Sequence, residues 1–254
     1  MNQVDLKDLA ERCVSRVMAV ECEQDPYKHI VVDNFVPDDL AKRCMDAFPG
    51  LENPVWEHES DTDIEVKSRT TWKSEFDIPE HIVDVVRIMN SAPFLKALSE
   101  KFEIPKLVAD SYFTGGGLNV TQRGGLLDVH VDGNYHDATG LNRRMNALLY
   151  LNPEWEEGWG GEFGLYNEDG SKLIKKIAPV YNRLVVFDSH DYSYHGLPDP
   201  LNFPAGQQRK SVILYYYTVA PRPEGQISVQ KPHSALWVKR NHNDKRGNKE
   251  RKFT

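Results

Sequence analysis

The sequence predicts an α+β fold in which helices come first and a sandwich of short antiparallel strands follows. Three observations predict it. The helical stretches all fall before residue 103. From residue 108 the period changes to two, in about eight short runs rich in β-branched and aromatic residues. Gly- and Pro-rich turns separate those runs, among them Gly115-Gly116-Gly117, Gly124-Gly125, Asp169-Gly170 and the stretch Pro198 to Pro204. Helices followed by strands give an α+β domain with the helices on one side. Many short strands joined by turns make a closed or two-sheet antiparallel structure.

Taken in order, residues 4–20 place Val4, Leu6, Leu9, Cys13, Val14 and Val17 on a loose helical stripe. HIVVDNF (29–35) reads as a short strand. Pro37-Asp38-Asp39 opens a helix through Phe48, stopped by Pro49-Gly50. Residues 51–75 are polar and are expected to be irregular, with Trp56 and Trp72 as anchors. Helices are expected from about Glu80 to Met89 and from Pro93 to Phe102. Strands are expected at 108–114, 117–121, 126–131, 145–151, 162–166, 172–177, 183–187 and 211–219. The chain therefore divides into a support region (1–107), a β core (108–220) and a C-terminal extension (221–254). The tail from Lys239, KRNHNDKRGNKERKFT, is basic, nearly free of apolar residues and expected to be disordered.

The 254 residues can bury a sizeable core without disulfide or metal staples. A net charge of −7 argues against whole-surface attraction to nucleic acid or anionic membrane. Nucleic acid or an acidic partner is expected only through the basic tail. No run of about 18 apolar residues is present to span a membrane, and the N-terminus lacks a signal-peptide pattern. Cys13, Cys22 and Cys44 are odd in number and lack metal-type spacing, as reduced thiols of a cytoplasmic protein would.

The chemistry concentrates in LLDVHVDGNYH (126–136). Residues two apart on a strand share a face, so His130 and Asp132 can aim an imidazole and a carboxylate at one point while Val129 and Val131 face the core. One more histidine completes a two-histidine, one-carboxylate set, which suits non-haem Fe(II) and leaves positions open. His-x-Asp alone is a weak signal. RLVVFDSHDYSYHGL (183–197) supplies the third histidine: His195 is preferred, with His190 in the polar turn as its rival. In QRKSVILYYYT (208–218), Arg209, Ser211, Ile213 and Tyr215 share a strand face, and an inward Arg209 with Ser211 can grip a carboxylate. Lys210 points the other way and is expected in solvent. Gly160 and Gly161 read as packing glycines. Tyr150, buried mid-strand in RRMNALLYLNPEW, must find a polar partner for its hydroxyl. Arg143 and Arg144 read as solvated.

The order HVD, YLNPEW…GGEF, LVVFDS…H and RKSVILYYYT resembles the prolyl 4-hydroxylase-like branch of the 2-oxoglutarate- and Fe(II)-dependent oxygenases, over about residues 108–220. The lead-in HIVVDNFVPDDL resembles that family too. The resemblance implies a double-stranded β-helix, a jelly-roll variant. It also implies that His130, Asp132 and His195 hold Fe(II), that Arg209 binds the distal carboxylate of 2-oxoglutarate, and that Tyr150 contacts the same carboxylate. Ser211 is a weaker match as helper. LNVTQRGG (118–125) lacks the aromatic often found there, so Asn119 or Gln122 takes that polar role. The activity implied is hydroxylation of an unactivated C–H with release of succinate and CO2, using O2, with ascorbate as an optional addition. A peptidyl-prolyl substrate leads, and a small metabolite such as a free amino acid or sugar is the alternative. WEEGW (155–159) and Tyr135-His136-Asp137 could line either kind of cleft. A non-catalytic β-sandwich and a zinc hydrolase are the competing classes, the latter because the same ligands bind zinc.

Overall fold

The computed structural model describes residues 3–61 and 64–238; the basic tail expected from Lys239 and the side chain of Val4 lie outside the described residues. In chain order the elements are α1 (Gln3–Ala19), β1 (His29–Val32), α2 (Asp38–Asp46), β2 (Trp56–Asp61), β3 (Glu65–Thr70), α3 (Ile82–Met89) and α4 (Ala92–Phe102). They are followed by β4 (Val108–Ala109), β5 (Gly117–Thr121), β6 (Leu126–Val131), β7 (Asn142–Tyr150), β8 (Phe163–Tyr166) and β9 (Leu173–Ile177). The last are β10 (Arg183–Asp188), β11 (His195–Leu197), β12 (Arg209–Thr218) and β13 (Leu236–Trp237).

The helices arise where the pattern places them. Asp38 and Asp39 occupy the first turn of α2, where a carboxylate opposes the positive end of the helix dipole. Pro93 sits in the first turn of α4, which lacks an internal hydrogen-bond demand there. On α1 the stripe buries Cys13 and Val17 completely, with Leu6, Leu9 and Val14 packed beside them.

Among the described residues the strands form one antiparallel sheet, ordered β1-β10-β7-β12-β5-β3-β6-β11-β8-β9. It curls on itself. The period-two pattern explains how, because each central strand has two apolar faces. Met145, Ala147 and Leu149 of β7, Leu184 and Val186 of β10, and Val212, Leu214 and Tyr216 of β12 pack against the helices. The opposite faces, Leu148 and Tyr150, Val185 and Phe187, turn inward and meet Phe163 and Leu165 of β8 across the interior. Burying each such side chain contributes roughly 1.5–3 kcal/mol. This inner face becomes the wall of a cavity.

Several expectations need correction. Residues 51–75 are irregular only in part: β2 and β3 form a hairpin whose second strand pairs with β5 and β6. Its residues are charged, so no apolar alternation announces it; Arg69 instead bridges Glu57 and Glu59 across the pair at 3.6 and 3.4 Å. Trp56 and Trp72 are buried, as anchors should be. The strand expected at 108–114 ends at Ala109, because the Asp110 carboxylate accepts the Tyr112 amide at 2.8 Å and starts a turn. β7 starts at Asn142, so Arg143 and Arg144 lie in a strand rather than in solvent. Lys210 is half-buried, with its ammonium 5.3 Å from the centre of the Phe48 ring.

Candidate active site

The register of β11 on β6 sets His195 directly opposite His130, and their ring centroids lie 4.5 Å apart. Val129 and Val131, on the other face of β6, are buried. His130 Nδ1 lies 2.8 Å from the Asp128 carbonyl oxygen, and His195 Nδ1 lies 2.8 Å from that of Ser193. A carbonyl only accepts, so both Nδ1 atoms donate and both Nε2 atoms keep a lone pair. Those Nε2 atoms flank Asp132, at 3.7 Å from Oδ1 for His130 and 3.4 Å from Oδ2 for His195. The three donor atoms fall within 4.8 Å of one another, close enough to share one ion.

Two imidazoles and a carboxylate on one side of a pocket suit a first-row divalent metal with open positions. Burial pushes the His195 imidazole down to about 4, which leaves it neutral and free to donate to a metal at neutral pH. Burial alone would raise the Asp132 carboxyl, but the adjoining His195 and His130 rings, in their protonated form, and the Arg143 guanidinium outweigh it and hold Asp132 well below the usual carboxylate range. His190, the rival ligand, lies elsewhere: its Nδ1 accepts the Tyr192 amide at 3.2 Å and its ring packs against Tyr27.

Two residues that steady Asp132 escaped the sequence reading. The Asn146 side-chain amide donates to Asp132 Oδ2. It could have been found, since it shares the inward parity of Leu148 and Tyr150. Arg143 lies 3.8 Å from Asp132 Oδ1 and stacks 4.0 Å from the centre of the Tyr215 ring. Simple alternation puts it on the wrong face. The pairing with β12 steps from Tyr216↔Met145 to Tyr217↔Arg143, so Arg144 is an extra residue, a bulge that turns Arg143 inward.

The same cavity holds a second polar group at its other end. Arg209 is buried; its Nε donates to the Gly161 carbonyl at 2.7 Å and its NH2 donates to the Tyr150 hydroxyl at 3.0 Å. Gly161 has φ +79°, and a Cβ there would stand 3.1 Å from Arg209 Cδ, so this glycine lets the backbone grip the arginine. Ser211 sits between Tyr150 and Asn119 in the strand register, fully buried, with no hydrogen-bond partner for Oγ. An orphaned buried hydroxyl beside a held guanidinium fits a site that takes an anionic, oxygen-rich group. Asn119 lines the cavity, whereas Gln122 is exposed. Lys67 of the unexpected hairpin lines it too, with Glu65 2.5 Å from its ammonium. Of the patches expected near a cleft, Tyr135 lines the outer mouth. His136 is buried against Asp110, and Trp155 and Trp159 pack on Leu197, Leu201 and Phe203 instead.

Residues 116–217 match the family model described as 2OG-Fe(II) oxygenase superfamily. Over 106 residues the chain is 31% identical to the prolyl 3-hydroxylase OGFOD1 of Xenopus laevis, covering 39% of this chain and 20% of that protein. Over 86 residues it is 32% identical to the Mus musculus prolyl 3-hydroxylase OGFOD1, covering 32% and 15%. The match thus spans a fifth or less of these relatives. Among solved structures, a Trichoplax adhaerens prolyl hydroxylase, in complex with a hypoxia inducible factor peptide fragment, superposes with a TM-score of 0.59 at 18% identity, covering 85% of this chain and 94% of that one. A Pseudomonas putida prolyl-4-hydroxylase gives a TM-score of 0.55 at 18% identity, covering 82% and 98%. At such identities the likeness is one of fold, the double-stranded β-helix.

Proposed function

We propose, from the match of residues 116–217 to the 2OG-Fe(II) oxygenase superfamily model, that this chain is an Fe(II)- and 2-oxoglutarate-dependent dioxygenase that hydroxylates a prolyl residue within a peptide. One observation carries the reading: His130, Asp132 and His195 converge in the same cavity that Arg209 lines. His130, Asp132 and His195 would hold Fe(II). Arg209 and Tyr150 would take the distal carboxylate of 2-oxoglutarate, with Ser211 and Asn119 beside it. Once bound, the iron and the keto acid supply the oxidising chemistry: one oxygen atom of O2 enters succinate as CO2 leaves, and the other enters the substrate C–H bond.

The remaining work belongs to the chain's own residues. Asp128 and Ser193 carbonyls keep the two Nε2 lone pairs aimed inward. Asn146 and Arg143 orient the Asp132 carboxylate. Phe163, Phe187 and Leu148 line the cavity with apolar surface, which excludes water and strengthens the Arg209 contact. On this reading the chemistry belongs to residues 108–220, with 1–107 as support and 221–254 as an extension. A zinc hydrolase would need no buried arginine beside the metal, and a non-catalytic sandwich would need neither group. The peptide substrate is favoured because the relatives above are prolyl hydroxylases and one was solved with a peptide.

We also place the protein in the cytoplasm. Among the described residues no helix is long and apolar enough to cross a membrane, and Cys13, Cys22 and Cys44 are free thiols.

The test is direct. Anaerobic addition of Fe(II) and 2-oxoglutarate should produce the visible charge-transfer band of the chelate, and admission of air should then yield succinate. No band would sink the proposal. Peptides and small metabolites screened for the gain of one oxygen separate the two substrate classes. Tyr150→Phe deletes one bond to Arg209, worth about 1–1.5 kcal/mol. It should raise the 2-oxoglutarate concentration for half-maximal succinate formation by roughly five- to tenfold. Iron content should stay normal.

A further inference from the structure

Beyond the matched domain, the chain turns back across the mouth of the cavity and forms β13, which pairs with β6 so that Trp237 stands opposite His130. The Trp237 ring lies 4.6 Å from the His130 ring, tilted by 32°. His233, Ser234, Ala235 and Trp237 form one side of the mouth, facing Lys67 and Arg69 of the β2–β3 hairpin. Both β3 and β13 use β6, the first at Leu126 and Leu127 and the second at His130 and Val131.

We propose that segment 222–237 is a built wall of the substrate channel, that Asp191 is the positioning residue that holds it, and that Trp237 is the residue of this wall that screens the metal site at His130. The role given to Trp237 rests on the reading that His130, Asp132 and His195 bind a metal; the role given to Asp191 does not.

A segment with little regular structure stays in one place only if its anchors outweigh the freedom it loses. Asp191, 1% exposed, is such an anchor. Its carboxylate accepts from Arg222 NH1 at 3.0 Å, the Ser228 amide at 2.8 Å and the Val229 amide at 3.1 Å, and His233 Nε2 lies 3.1 Å from it. Its own amide donates to the Gln226 carbonyl at 3.1 Å. One carboxylate therefore ties four points spread over twelve residues of the segment. Burial would raise the Asp191 carboxyl, but His233 and the Ser228 and Val229 amides hold it down at about 2, so the anchor is charged at neutral pH. Further along, Asn134 and His233 exchange bonds, with the His233 amide donating to Asn134 Oδ1 at 3.0 Å and the Asn134 amide to the His233 carbonyl at 3.2 Å. Gly133 permits this close passage, because a Cβ there would stand 2.9 Å from the His233 carbonyl oxygen. The Val238 amide completes the seam on the Val129 carbonyl at 3.0 Å.

The full chain, compared with Asp191→Asn, Trp237→Ala and Trp237→Phe, tests both roles. Amide hydrogen exchange needs no metal. In Asp191→Asn, exchange across 228–238 should rise by about tenfold, the equivalent of one lost charge-assisted bond, with β7 and β12 unchanged. Equal exchange in the two chains would overturn the anchor. Co(II) then reports the screen. EDTA should strip Co(II) several-fold faster from Trp237→Ala than from wild type, at equal Co(II) affinity, and Trp237→Phe should restore the slow rate. Equal stripping rates would overturn the role of Trp237. A wild-type chain that takes up no Co(II) would overturn the metal reading and the screen together, while the exchange result would still decide the anchor.

Discussion

Asp132→Ala should abolish succinate formation and leave the purified chain nearly free of iron. Asp132 is the anionic member of the donor set and stands between the two Nε2 atoms. Without it, two neutral imidazoles face the metal, and the Arg143 guanidinium loses its carboxylate while staying buried beside the site. Removing one partner of a buried charge pair costs about 3–5 kcal/mol. Metal affinity should fall further still, because losing an outer partner of a ligand already costs about 10–100-fold and here the anionic ligand itself is gone. Asp132→Asn, which keeps the shape and lacks the charge, separates the ligand role from packing: it should keep the wild-type fold at a cost in stability and still lose the iron. Circular dichroism and metal analysis check both. Succinate output equal to wild type in Asp132→Ala would remove the enzymatic reading.

Arg209→Ala should act differently, leaving iron content near normal while the requirement for 2-oxoglutarate climbs. The guanidinium is held from two sides, by the Gly161 carbonyl and the Tyr150 hydroxyl, so it meets a carboxylate already oriented. A charge-assisted contact of this kind contributes about 1.5–3 kcal/mol, so half-saturation should move up by roughly ten- to a hundredfold. A titration of succinate production against 2-oxoglutarate reads it. An unchanged half-saturation would exclude Arg209 from the co-substrate site. Tyr150→Phe should move the same quantity by less, because it loosens the arginine without removing it.

The site was legible where function and strand period coincide. His130 on β6 and Asp132 just past its end stand two apart, and Arg209, Ser211, Ile213 and Tyr215 share one side of β12, so period two announces their common direction. Tyr150 is legible because a buried hydroxyl needs a partner, and Arg209 is that partner. Arg143 was illegible because a bulge at Arg144 reverses the alternation, and a bulge is fixed by the pairing strand rather than by its own residues. Lys67 was missed with its whole hairpin, whose pairing is made by charged side chains that look like loop. Trp237 carried no signal, because two residues of strand near a polar tail have no period to read.

Composition and periodicity on their own determined the class of fold, the inward face of each central strand and the residue types able to bind a metal and a carboxylate. Those properties are local, set by which side of a strand a residue occupies. Tertiary structure alone decided that His195 rather than His190 meets His130, that Arg143 turns inward, and that a C-terminal segment closes one side of the mouth. Each of these depends on register between strands distant in sequence, and register is settled by hydrogen bonds and packing that no single segment contains.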